Sequence, residues 1–215
     1  MSFTEMLAFL GEGIWTTLIL IPIGMVTTFV IGLIVGVVRF RNYPVVSQII
    51  DVYILIMRGL PPLIVLSLIF ATLLVGSPMF MAILGLTIYH SAYVAEIVRG
   101  ALAEVPSGQR QAGESLGFGF WFIMRRIYLP QVLLQITPAL AGQYIMLVKD
   151  TTLVSVVGLQ DVMWFAQQLM AYTNDPISAY LIIGVIFYLI CFAMELLGAQ
   201  AERFLSRHNT RVRIA

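Results

Sequence analysis

The sequence predicts an all-α integral membrane protein with five transmembrane helices, an N-terminus outside and a C-terminus in the cytoplasm. Three observations support this prediction. Of the 215 residues, 60% are hydrophobic and only 11% are charged, whereas a soluble domain carries about 25% charged residues. The chain divides into five apolar runs, close to or above the length that crosses a bilayer core of roughly 30 Å. Its basic residues are also distributed unevenly along the chain.

The five predicted spans form a single transmembrane domain. They cover residues 14–38, 49–75, 79–98, 127–148 and 177–200, and a polar loop occupies 101–126. Glycines in the first span predict close helix contacts, and prolines in three spans predict kinks or bends. The residues behind these predictions are Gly24, Gly32, Gly36, Pro22, Pro61, Pro62, Pro130 and Pro138.

The charge distribution predicts the orientation of the spans. Ten of the twelve basic residues lie at 39–41, at 99–126 and in the C-terminal tail, which includes Arg203 and Arg213. Five spans place these three segments on one side, and basic loops tend to remain on the cytoplasmic side. The polar loop is therefore predicted on the cytoplasmic face.

Polar and small residues follow one face of the predicted fourth span. They recur at steps of three, four or seven, which stacks them along one side of a helix. Polar groups at membrane depth usually face a cavity or another helix. Two interpretations therefore stay open: a helix–helix contact joined by glutamines, or the wall of a polar route. The residues are Gln131, Gln135, Ala139, Gly142, Gln143 and Asp150.

Four other polar residues have local explanations. Glu96 and Arg99 lie three apart on a predicted helix, which favours an ion pair over a ligand site. His90 is more typical of a packing residue than of a ligand, and no second histidine is near it in the sequence, so no metal site is predicted. Asp161 is as consistent with capping a helix as with binding a ligand.

The sequence contains no signature of an enzyme or of a nucleic-acid-binding protein. It has no GxxxxGK[ST] loop to hold ATP phosphates, no GxSxG motif and no basic block. We expect this chain to bind no cofactor of its own and to depend on another chain for any energy source. The polar loop is the predicted docking point for that chain.

The polar loop also contains a spaced motif. Residues 111–113 read Gln-Ala-Gly; Gly117 follows after three residues, and 127–130 read Ile-Tyr-Leu-Pro after nine more. This resembles the EAA loop of ABC-importer permease subunits, with the pattern Glu-Ala-Ala, three residues, Gly, nine residues, Ile-x-Leu-Pro. Segments that resemble the polar amino acid branch of this family, with its type I importer fold, lie at 58–63, 92–100, 105–109 and 149–158.

The resemblance implies the permease subunit of a bacterial inner-membrane importer for amino acids or similar small polar solutes. The family's loop forms a short coupling helix in a groove of a cytoplasmic ABC ATPase dimer, which binds ATP and magnesium. Other implied partners are a second permease copy or a sister permease, an extracytoplasmic solute-binding protein and the lipid bilayer, with no nucleic acid. The implied ATPase-coupling residues are Arg110, Gln111, Ala112, Gly113, Glu114, Leu116, Gly117, Ile127, Leu129 and Pro130.

Two residues depart from the family pattern in this loop. Gln111 replaces the usual Glu and removes a possible charge-assisted contact with the ATPase. Gly113 replaces the usual Ala and weakens the helix by about 1 kcal/mol. After the loop, we expect Trp121, Phe122 and Tyr128 to anchor the joint to the next span at the level of the lipid headgroups.

The resemblance also implies a solute site between the membrane helices. The corresponding residues are Tyr89, Gln143, Lys149, Asp150 and Arg58. A neutral Gln143 would not neutralise a buried guanidinium or ammonium side chain, which disfavours selectivity for arginine or lysine. Two other classes remain as alternatives. A channel or secondary transporter predicts ATP-independent flux by this chain alone, and a membrane anchor predicts tolerance of changes along the polar face of the fourth span.

Overall fold

The computed structural model describes residues 3–73 and 76–212, with side chains from residue 8 to residue 204 within those ranges. Val75, at the end of the second predicted span, and Arg213, in the basic tail, lie outside the described residues. All regular structure in the described part is helical, so the all-α prediction is confirmed. The helices are α1 Phe3–Arg41, α2 Pro44–Gly59, α3 Pro62–Leu73, α4 Pro78–Glu104, α5 Ser107–Ser115, α6 Phe120–Ile123, α7 Leu129–Gln135, α8 Thr137–Asp150, α9 Val162–Thr173 and α10 Pro176–Val212.

Four helical segments are long and apolar enough to cross a membrane. They are Ala8–Arg41, Pro78–Glu104, Thr137–Val157 and Pro176–Phe204. The pair α2 and α3 makes a fifth candidate if it counts as one span, although it bends by 112°. The bend predicted at residues 58–62 is therefore confirmed. Leu60 is extended there, with φ −99° and ψ 145°, as expected for a residue before proline.

The helix α1 lies closely along α4, in the most extensive helix pairing among the described residues. A Cβ atom added at Gly32 would lie 2.5 Å from Cβ of Val94, and one at Gly36 would lie 2.7 Å from the carbonyl oxygen of Ala95. Only glycine leaves room for such an approach. The close helix contact predicted for these two glycines is confirmed.

The fourth predicted span consists of several helical pieces. A π-helical turn, Met124–Tyr128, joins α6 to α7, and α7 ends before Ile136. Pro138 stands in the first turn of α8, where a missing N–H costs no helical hydrogen bond. Pro130 directly follows the π-helical turn, in which the N–H of Leu129 donates to Met124 O. The two prolines predicted as kink points therefore coincide with helix boundaries.

The N-terminus of α9 is fastened to α1. The Asp161 carboxylate accepts a hydrogen bond from the backbone N–H of Trp164 at 2.9 Å, and the hydroxyl of Thr17 accepts one from the N–H of Val162 at 3.2 Å. Gly13 allows this approach, because a Cβ there would meet Asp161 O at 2.7 Å. Of the two interpretations of Asp161, helix capping is the one that the structure shows.

Candidate functional site: the polar loop and a polar cluster

The polar loop begins with a short helix that ends at a glycine. α5 starts at Ser107, directly after Pro106, and Gly117 follows its end with φ +81°. The N–H of Phe118 donates to Gly113 O at 3.0 Å, and the N–H of Gly117 donates to Glu114 O at 2.9 Å. This pair of bonds defines a Schellman motif, in which the left-handed residue is usually glycine. The predicted glycine end of the helix is confirmed.

One surface of this helix is free of contacts with the rest of the fold. Gln111, Ala112 and Glu114 are exposed, and Leu116 is 72% exposed despite its apolar side chain. Arg110 donates to the Glu114 carboxylate at 2.8 Å, and this hydrogen bond raises the pKa of Arg110 above its ordinary value. α5 therefore presents a leucine beside an acidic group that is already paired.

The segment after this helix is anchored in the protein core. Ile123, Met124 and Tyr128 are buried with residues of α4 such as Leu102. Trp121 is 56% exposed, in keeping with its predicted anchoring position. The prediction is wrong for Tyr128, which is 3% exposed, because its ring packs against Phe40 with centroids 5.9 Å apart. The burial of these three residues anchors the segment that follows α5 against α4.

The same segment packs against α5. Gly113 is buried, and a Cβ added to it would lie 3.0 Å from both Cγ1 and Cδ1 of Ile123. Ile123 is itself 2% exposed. Glycine instead of the family's usual alanine at position 113 therefore leaves room for the bulky side chain of Ile123.

This contact gives a prediction for Gly113→Ala. Alanine raises helix propensity by about 1 kcal/mol, but the added methyl overpacks Ile123, which typically costs about 1–3 kcal/mol. We expect a lower apparent Tm of the purified protein in detergent. Because Ile123→Val removes Cδ1, the double variant should lose less stability than the sum of the two single changes. Additive losses would contradict the proposed contact.

A second contact to the segment that follows α5 comes from the end of α1 and was not predicted. The guanidinium of Arg41 lies 4.4 Å from the centre of the Phe120 ring and 5.6 Å from that of Tyr43. These are cation–π distances. Arg41 thus connects the turn between α1 and α2 to the start of α6.

A charge network nearby joins three helices. Arg99 donates to Glu96 at 2.6 Å, which confirms the predicted local ion pair. Arg39 of α1 also pairs with Glu96, and with Asp51 of α2. From the sequence, Arg39 indicates only the orientation of the spans, and no spacing along the chain connects it with either carboxylate.

The polar face of the fourth span packs against α4 and α5. Gln131 donates to Gln109 Oε1 at 2.8 Å, Gln135 donates to Glu104, and Gln143 contacts His90. Three of its glutamines therefore make helix–helix contacts, which supports the first of the two interpretations. Gln143 is the buried member of these three glutamines, with 7% of its surface exposed.

The polar cluster forms around His90, whose side chain is 1% exposed. Its Nδ1 lies 2.8 Å from Nε2 of Gln143, and its Nε2 lies 3.3 Å from Oδ2 of Asp150. The second pair is close enough for an ion pair but is not aligned as a hydrogen bond. The ring of Tyr89 meets His90 edge to face, with centroids 5.2 Å apart. We call Tyr89, His90, Gln143 and Asp150 the polar cluster.

The structure thus brings together three of the five predicted solute-site residues. Arg58 reaches the cluster only through Tyr93: its guanidinium lies 5.7 Å from the Tyr93 ring, whose hydroxyl lies 3.1 Å from that of Tyr89. Lys149 is exposed and makes no ion pair within the described residues. His90 contacts both Gln143 and Asp150, although the sequence predicts it as a packing residue. Its burial among polar side chains is the feature that separates it from an ordinary packing residue.

Two open clefts lie away from this cluster. Arg58 lines one of about 400 Å³ together with Arg39, Asp51 and Glu96. A larger one, about 600 Å³, lies between the start of α1 and α9, and Glu12 and Trp164 are among its lining residues. The larger cleft contains none of the predicted site residues, so its size alone does not make it the solute site.

Comparison with known proteins supports the fold and the predicted class of protein. The family model described as "Binding-protein-dependent transport system inner membrane component" matches residues 28–207. The L-cystine transport system permease protein TcyL of Bacillus subtilis is 30% identical over 91% of this chain and 87% of its own length. The probable glutamine ABC transporter permease protein GlnP of the same organism is 32% identical over 92% and 94%. A chain from the crystal structure of an amino acid ABC transporter with histidines superposes with a TM-score of 0.82, at 28% identity over 94% of this chain and 98% of that one.

The helical fold with several candidate spans defines a multi-pass membrane permease. More particularly, the chain belongs to the family of inner membrane components of binding-protein-dependent transport systems. The resemblance to ABC-importer permeases, drawn from the loop motif and its surroundings, is confirmed by this match.

Proposed function

We propose that the chain is the permease subunit of an ATP-driven importer for amino acids or similar small polar solutes. It forms one half of a translocation pathway and receives the motion of a separate ATPase through residues 107–130. The observation that carries this proposal is the α5 helix, a rigid, glycine-ended helix with an exposed apolar residue on a firmly anchored base. ATP hydrolysis belongs to the partner chain in this proposal.

The coupling proposal rests on two properties of the segment. Leu116 is free to enter a groove on a partner, since it contacts solvent rather than the fold. Ile127, Leu129 and Pro130 continue from the buried joint into α7, so a push on α5 reaches the membrane helices through its contact with Ile123 and through this joint. Gln111 leaves Glu114 as the exposed carboxylate of this helix, and Arg110 already neutralises it.

The proposed orientation places α5 in the cytoplasm and the start of α1 outside. It is supported by the basic residues at 39–41, 99–126 and the tail, all of which fall on the α5 side in a five-span arrangement. The proposed location is the bacterial inner membrane. The proposed partners are a cytoplasmic ATPase dimer, a second or sister permease and an extracytoplasmic solute-binding protein, which suit a family whose members depend on a binding protein.

The proposed solute site is the polar cluster, with Arg58 and Lys149 at its margins. Its support is the convergence of a carboxylate, an amide, an imidazole and a phenol at the contact of α4 and α8. The site offers several hydrogen-bonding groups in an otherwise apolar setting, which is typical of sites for small polar molecules. The names of the two permease relatives and of the solved transporter support amino acids as the solute class.

The substitution Gln143→Glu tests whether the polar cluster determines which solutes are taken up. An imidazole beside the new carboxylate would take up a proton and cancel its charge, so the variant is made in a His90→Gln background. We expect the ratio of L-arginine to L-glutamine uptake in vesicles to rise about tenfold, because one hydrogen bond to a charged group supplies about 1.5–3 kcal/mol. Gln131→Glu in the same background adds the same charge on the surface and should not change the ratio. An unchanged ratio in the Gln143 variant would remove the cluster from the solute pathway.

A further inference from the structure

When the His90 ring is neutral, the polar cluster is compatible with one of its two tautomers. One of its ring nitrogens then carries a proton and donates, while the other accepts. Nε2 lies 3.3 Å from the Asp150 carboxylate, which can only accept when ionised. An unprotonated Nε2 would place two acceptors against each other beside an imidazole that is 1% exposed. The carboxylate therefore selects the tautomer with the proton on Nε2.

This tautomer determines the orientation of Gln143. With the proton on Nε2, Nδ1 must accept, and the side chain 2.8 Å away must present its N–H group. The carbonyl oxygen of Gln143 then points away from the ring. Among the described residues, nothing donates a hydrogen bond to this oxygen or to Oδ1 of Asp150. The cluster therefore holds two acceptor oxygens whose partners come from outside the fold.

We propose that His90 is a positioning residue that holds Gln143 as a hydrogen-bond acceptor toward the solute, so that Gln143 and Asp150 together receive a positively charged nitrogen group of that solute. An ammonium donates three hydrogen bonds and accepts none, which fits a pair of acceptor oxygens. The inference rests on the proposed function, because it uses the same cluster as the solute site.

Protonation of His90 reverses this arrangement. The imidazolium donates from both nitrogens, so the Gln143 amide must turn and offer its oxygen to Nδ1. Its NH₂ group then faces the solute position, where it repels a cation. The other titratable or charged groups near the ring are Tyr89 and Tyr93 on α4, Tyr53 on α2 through its 2.7 Å contact with Ser91, Lys149 and Asp150 on α8, and Arg58 through Tyr93.

The tautomer can be observed directly because the chain has only two histidines. A His208→Gln protein labelled with ¹⁵N-histidine contains a single imidazole, and nitrogen NMR distinguishes a protonated from an unprotonated ring nitrogen. We expect Nε2 to be protonated and Nδ1 unprotonated at neutral pH. Gln143→Leu should shift Nδ1 and Asp150→Asn should shift Nε2, while Gln131→Leu, on the polar surface of α7, should shift neither. A proton on Nδ1 at neutral pH would overturn the proposal.

Transport separates this inference from the proposed function. The complete transporter is reconstituted in liposomes, and L-glutamine uptake is measured as a probe between about pH 5 and pH 8. Acidification should raise the apparent KM about tenfold, the value of one charge-assisted hydrogen bond, with a smaller effect on kcat. In the His90→Gln variant, residue 90 is uncharged over this whole pH range, so this rise in KM should disappear. Any pH dependence that comes from the solute-binding protein is common to the variant and the unmodified transporter, so it remains in both profiles.

Each contrary result has its own meaning. If the pH profile of KM is the same in His90→Gln as in the unmodified protein, while Gln143→Leu still impairs uptake, the solute site stands and the positioning role of His90 is overturned. If Gln143→Leu and Asp150→Asn both leave uptake unchanged, the solute site of the proposed function fails, and the role of His90 fails with it. A loss of kcat alone in His90→Gln would indicate structural damage and would also contradict a positioning role.

Discussion

Leu116→Glu is expected to weaken binding of the ATPase so that it no longer co-purifies with the permease, while the membrane helices stay folded. The leucine is 72% exposed at the end of α5, so it contributes little to the packing of this chain. On binding, the same side chain would be buried in a partner groove, where a carboxylate is costly to desolvate. Central apolar anchors of this kind contribute about 2 kcal/mol or more to an interface, which corresponds to a loss of affinity of at least about tenfold.

The measurement is the amount of ATPase that co-purifies with a tagged permease from detergent-solubilised membranes. Leu116→Met is the matched control, since it keeps the apolar surface and should retain the ATPase. Exposed substitutions usually change stability by at most about 0.5 kcal/mol, so the apparent Tm of the permease alone should move by no more than about 2 °C. Full retention of the ATPase by the glutamate variant would show that α5 is not the main docking element.

Gly36→Ala is expected to cause a large loss of stability from a single methyl group. The new Cβ would lie 2.7 Å from the carbonyl oxygen of Ala95 and 2.9 Å from Cβ of Val98. Neither atom is the mobile end of a side chain, so α1 and α4 must separate to make room. Overpacking of this kind costs about 1–3 kcal/mol, and we expect the apparent Tm to fall by roughly 2–12 °C.

Gly24→Ala provides the control for this variant in the same helix. Its Cβ would meet Leu147 Cδ2 at 3.6 Å, an ordinary packing distance. Both changes raise helix propensity equally, so the difference between the two Tm values reports the contact of α1 with α4 alone. Equal Tm values for the two variants would contradict the close packing described for Gly36.

Local sequence signals predicted the features of this protein that depend on neighbouring residues. The start of α5 at Ser107, its end at Gly117, the bend near Pro61 and the pair of Glu96 with Arg99 all follow from residues within a few positions of each other. Helix capping, the missing N–H of proline and helical spacing are short-range effects, and they need no knowledge of the tertiary fold.

The contacts between helices could not be predicted in the same way. Periodicity placed Gln143 and Asp150 on one helix face, but it did not show that His90 lies opposite them, 53 residues from Gln143 along the chain. In the same way, Tyr128 was expected at the membrane surface because of its residue type, and its burial depends on where Phe40 of α1 falls. The register of one helix against another is set by packing across the whole domain. A sequence pattern indicates which residues share one face of one helix, but it does not indicate which residues of another helix they meet.

The central claim is that this permease moves solute only when a separate ATPase acts on α5. The most direct test is uptake of a labelled amino acid into proteoliposomes that contain the solute-binding protein, with and without the ATPase. We predict uptake that requires the ATPase and ATP together, that stops with a non-hydrolysable ATP analogue, and that is lost in Leu116→Glu. Solute flux through liposomes containing this chain alone, without ATPase or ATP, would contradict the account and identify a channel or secondary transporter instead.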